Sequence, residues 1–127
     1  MIKPILGVVA GLTVWLVLAS VAGLILRAAW PEYAQVATAM TFTLSMKIAR
    51  LAIGALATVA AGVVTRAVAQ STAAGLVVGA MLLVIFIPEH VALWNKFPVW
   101  YHLTFLLSLV PLSYFGGRIV HTPLPSN

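Results

Sequence analysis

Four long apolar runs, separated by breaks of only a few polar residues, leave this chain little choice of fold. Inside lipid no water satisfies the backbone, so each run must close its own hydrogen bonds as a helix. About 20 apolar residues cross a hydrocarbon core, and the runs fall at about Ile5–Ala29, Phe42–Ala69, Thr72–Trp94 and Pro98–Ile119. The chain has too few charges to cover a water-facing surface: 7% of its 127 residues are charged and 63% are hydrophobic, against roughly 25% charged in a soluble domain. The expected fold is an all-α integral membrane protein. Its four transmembrane helices form an up-down-up-down bundle, a single domain over residues 1–127, with a disordered tail at 120–127.

The breaks between runs carry helix-ending chemistry. Trp30-Pro31 stops the first helix, because Pro31 has no N–H and Trp30 is biased away from helical backbone. Glu32, Gln35 and Thr38 then recur at a spacing of three, which predicts a short interfacial segment between the first two spans. Gln70-Ser71-Thr72 allows only a tight hairpin, so the second and third spans are expected as antiparallel neighbours. Pro88 and Pro111 lie inside spans and predict bends, while Pro98 can open the last helix. The first span begins like a secretory signal, with Ser20-Val21-Ala22 as a cleavage-like site. Apolar residues nevertheless continue through Leu26, and a retained span is expected.

Small residues recur on three of the runs. Gly7, Gly11 and Gly23 lie on the first, Gly54 and Gly62 on the second, and Gly75 and Gly79 form a GxxxG pair on the third. In lipid, such residues let helices approach closely where packing replaces the hydrophobic drive. They predict association, as a homo-oligomer or as an accessory subunit of a larger membrane complex. Trp30, Trp94, Trp100 and Lys96 suit the lipid–water boundary as anchors.

The net charge is +5, yet the seven basic residues stand singly at the ends of runs. They read as headgroup anchors and not as a nucleic-acid face. The absence of cysteine excludes disulfides, thiolate zinc sites and CxxC chemistry.

Four crossings sort the polar residues onto two membrane faces. One face takes Lys3, Arg66, Arg118 and His121; the other takes Arg27, Glu32, Lys47, Arg50, Glu89, His90, Lys96 and His102. Lys and Arg are almost evenly divided, so insertion in both orientations is compatible with the chain. Lys3 tips the expectation towards both termini in the cytoplasm of a bacterial-type inner membrane.

The stretch from Ile87 to His102 gathers one of the two acids and two of the three histidines. Arg50 and Arg66 are about 24 Å apart along their helix, against a core of about 30 Å, so one of them dips below the interface. An ionisable residue there is a site candidate. The candidate polar site is Arg50, Glu89, His90 and His102: Arg50 pairing with Glu89 or binding an anion, and the histidines relaying protons, holding a metal or ligating haem. No catalytic residue is assigned and no cofactor is expected. No GxSxG, HExxH or phosphate loop occurs. A transporter or channel for protons, ions or amphiphiles is the alternative to association, and a haem- or metal-binding protein the second alternative.

In length and span count the chain is similar to the small multidrug resistance transporters and to the Fluc fluoride channels. The first span has no acid where the former carry a glutamate. Thr41-Phe42-Thr43-Leu44-Ser45 is not the Thr-Thr-Phe-Ser motif of the latter. The similarity covers size alone.

Overall fold

The computed structural model of the chain describes residues 2–120. All of the expected disordered tail but Val120, and His121 with it, lies outside the described residues. Helices α1 (Ile2–Ala29), α2 (Pro31–Val36), α3 (Leu44–Ala69) and α4 (Ala73–Ala92) lead to a 3-10 turn at Trp94–Lys96 and to α5 (Val99–Arg118). Of these, α1, α3, α4 and α5 are long and apolar enough to cross a membrane, and they form the up-down-up-down bundle. The interfacial segment is α2, which Pro31 opens at its first turn.

Local chemistry sets the helix ends. Thr43 caps α3 by accepting from the Met46 N–H at 3.4 Å. Gln70 closes α3 in a left-handed conformation, φ 55°, its N–H reaching the Arg66 carbonyl at 2.8 Å. At the same face, the Lys3 ammonium donates to the Gln70 side-chain oxygen at 3.4 Å, tying the start of α1 to the end of α3. Helices α4 and α5 continue through Pro88 and Pro111.

Helix α3 is the centre of the bundle and packs most extensively on α1 and α5. It touches its hairpin partner α4 less than it touches α5, so the expected neighbour relation holds as a contact but not as the main one. The cause is close backbone approach. A Cβ on Gly62 would run into the Ser113 carbonyl, and one on Gly116 into the Val59 carbonyl. Gly75 and Gly79 bring α4 to the same turn of α5: their Cβ atoms would lie 3.1 Å from the Ser113 oxygen and 2.8 Å from the Val110 Cα. Gly7 and Gly11 seat α1 on α3, where added Cβ atoms would meet Ala69 at 2.7 Å and the Ala61 carbonyl at 2.9 Å. Gly54 faces the Phe105 ring. These glycines thus close helix contacts within one chain. Gly23 does not: a Cβ there would meet nothing within 4 Å. Gly23 therefore makes no close helix contact within the chain, and it lines a cavity.

A buried hydrogen bond crosses the centre. The Trp15 indole N–H donates to the Thr58 hydroxyl at 3.0 Å, and that hydroxyl donates to the Gly54 carbonyl at 2.6 Å. Replacing Thr58 by Val keeps the shape and removes the acceptor. An unsatisfied buried donor costs about 1–3 kcal/mol, so T58V is expected to lower the thermal midpoint in detergent. An unchanged midpoint would mean that the indole N–H contributes nothing. The outer surface is apolar, with Leu24, Leu56, Val84 and Leu107 all exposed. That is a lipid-facing belt, and the chain is an integral membrane protein.

Candidate functional site

Arg50 lies two turns into α3 and turns inward. Its Nε–H donates to the Tyr101 hydroxyl on α5 at 3.1 Å, and its Nη1 donates to the Tyr33 hydroxyl on α2 at 2.8 Å. The guanidinium sits over the Phe42 ring at 4.7 Å and faces the Phe97 ring at 5.6 Å. Both phenylalanines and both tyrosines are buried. They form one stack: Tyr33 on Phe42 at 5.1 Å, Phe42 on Phe97 at 5.9 Å, and Phe97 on Tyr101 at 4.3 Å. A guanidinium held by aromatic faces and neutral hydroxyls keeps its full charge. The expected Arg50–Glu89 ion pair is not formed. The two tyrosines take Arg50's hydrogen bonds instead, because α2 folds Tyr33 under the bundle.

Arg50 and Glu89 nonetheless line the same cavity, of about 200 Å³, together with Gly23, His90 and Tyr101. Of the lining residues Glu89 alone is exposed, which places it at the mouth. The floor is aromatic: Trp15 packs on Phe86 at 4.7 Å, and Phe86 on Phe105 at 5.3 Å.

His90 and His102 meet directly. Their Nδ1 atoms are 2.7 Å apart, and His102 Nε2 is 3.2 Å from the Trp94 carbonyl. The carbonyl can only accept, so His102 carries its proton on Nε2. A neutral His102 then has a bare Nδ1, which accepts from the Nδ1–H of His90. Neutral His90 is left with a bare Nε2, an acceptor with no partner among the described residues. This chain of tautomers is a lock and not a proton wire, because a backbone carbonyl takes no proton onward. Two nitrogens on one tetrahedral zinc, each at about 2.0–2.1 Å, stand about 3.3 Å apart. The histidines point at each other more closely than that, as a hydrogen-bonded dyad and not as a chelate or an axial pair across iron. His102 is fully buried at 0%, with the Trp94 ring stacked on it at 4.7 Å. Trp94 and Trp100 are each 43% exposed, and Lys96 is exposed.

The structure thus gathers Arg50, Glu89 and His90 at one cavity, with His102 directly behind His90. Sequence reasoning missed Tyr33, Phe42, Phe97 and Tyr101. The one available signal was the crowding of aromatics into the two short connectors of a single membrane face.

Fold and site together define a four-span helical membrane protein with a polar cavity near one face. Comparison with protein-family models, with curated proteins and with solved structures found no match.

Proposed function

We propose that this chain is a small carrier or transporter that binds an amphiphile through a phosphate- or carboxylate-bearing headgroup at Arg50. One observation carries the reading. A guanidinium has five N–H donors; the tyrosines engage two, and the other three have no acceptor among the described residues, at the edge of a cavity of about 200 Å³. A positive charge below the interface calls for a counter-charge, and the planar fork fits an oxyanion in two-point contact. Each tyrosine hydroxyl, having accepted from Arg50, keeps its own proton to donate. The apolar belt and aromatic floor suit the tail of such a ligand.

The test is native mass spectrometry of the purified protein with short-chain phosphatidic acid, and with diacylglycerol as the uncharged counterpart. Wild-type protein should retain phosphatidic acid over diacylglycerol. Hydrogen bonds to charged groups contribute about 1.5–3 kcal/mol, so Arg50→Gln should weaken that retention about 10–100-fold. Equal retention of the two probes, or no change in the variant, overturns the reading.

Association remains a second reading, favoured by α1: only 17% of its most apolar window is buried, against 33% for each other span. A lipid-free dimer in the same spectra would support it.

A further inference from the structure

The cavity holds charges of both signs that do not satisfy each other. Arg50 spends its protein hydrogen bonds on tyrosines, and no ion pair joins it to Glu89. Glu89 lines the same cavity; its backbone carbonyl accepts from the Leu93 N–H, and its carboxylate has no hydrogen-bond partner among the described residues. A purely anionic ligand would neutralise Arg50 and bring a second negative charge towards Glu89. Charges of like sign repel at close range, and at the exposed mouth such a ligand leaves the Glu89 carboxylate without a counter-charge. His90 adds a directional constraint: its bare Nε2 needs a hydrogen-bond donor, and it is fixed as an acceptor by His102 and the Trp94 carbonyl. Besides Arg50, the cavity lining therefore includes a residue with a carboxylate and one with an acceptor ring nitrogen.

Resting on the reading of the cavity as an amphiphile site, we propose that its ligand is zwitterionic, of the phosphoethanolamine type. The phosphodiester lies at Arg50 with the Tyr33 and Tyr101 hydroxyls, and the primary ammonium at Glu89 and His90. A primary ammonium carries N–H donors for both acceptors. A quaternary ammonium has the same charge and no N–H, so it leaves His90 without a partner. A simple phosphate carries no positive charge to meet Glu89. Gly23 belongs to the same design: the open space beside it keeps the cavity free where a side chain would project.

The experiment compares short-chain phosphatidylethanolamine, phosphatidylcholine and phosphatidic acid on the full chain by native mass spectrometry. Phosphatidylethanolamine should be retained at least tenfold over each of the others. Glu89→Gln should abolish that preference while phosphatidic acid retention stays or rises; Glu89 is exposed and glutamine has nearly its shape, so the fold survives the change. If phosphatidic acid or phosphatidylcholine binds as well as phosphatidylethanolamine, or if Glu89→Gln keeps the preference, the zwitterionic assignment is wrong while the Arg50 headgroup site stands. If no phospholipid is retained over diacylglycerol, both are wrong.

Discussion

Gly62→Ala should unfold this bundle far more easily than Gly23→Ala, although the added atom is the same. At Gly62 the new methyl would fall on the Ser113 carbonyl of α5, and backbone cannot swing aside as a long side chain can. Overpacking of this kind costs about 1–3 kcal/mol and occasionally more. The upper end applies here, because the reciprocal contact of Gly116 on the Val59 carbonyl leaves α5 no room to slide along α3. At Gly23 the methyl meets open space, and a helix gains up to about 1 kcal/mol when Ala replaces Gly. Unfolding midpoints of the two variants in one detergent measure the difference. Equal midpoints would show that α3 and α5 are not held at backbone distance.

The contrast between these glycines marks the reach of the sequence. Composition, run lengths, Pro31 and Pro98 fix four spans and the interfacial helix, since lipid permits few alternatives. The observed helices end within three residues of the expected ones. Crossing number alone sends Arg50, Glu89, His90 and His102 to one face. Rotation is what the residues do not encode: spans apolar on every side carry almost no signal for which stripe turns inward. Gly23 and Gly62 therefore look alike in sequence, and so do a snorkelling and an inward Arg50. The aromatic cage depends on the same unknown twice over, because Tyr33 reaches Arg50 only when α2 folds beneath the bundle. Tyr33, read alone, is an ordinary boundary residue.

The histidine dyad should show strong coupling in a double-mutant cycle. His102→Phe alone strands the Nδ1–H of His90 in a buried place and removes the partner of the part-buried Trp94 carbonyl. His90→Phe alone leaves the bare Nδ1 of His102 against a ring. Each single change is expected to cost about 1–3 kcal/mol, the price of an unsatisfied buried polar group. The double variant removes both members and should cost less than the sum by about 1–3 kcal/mol, the range for residues within one network. Reversible unfolding in mixed micelles measures all four corners; additive losses would mean that the 2.7 Å contact carries no energy. Ligand retention separates a positioning role from simple packing. His102 is fully buried and does not line the cavity. Even so, His102→Phe should reduce phosphatidylethanolamine retention and leave phosphatidic acid retention unchanged, because a His90 no longer held in its Nδ1–H tautomer loses only the fixed acceptor proposed for the ammonium. A parallel loss of both lipids would assign His102 to the bundle core alone.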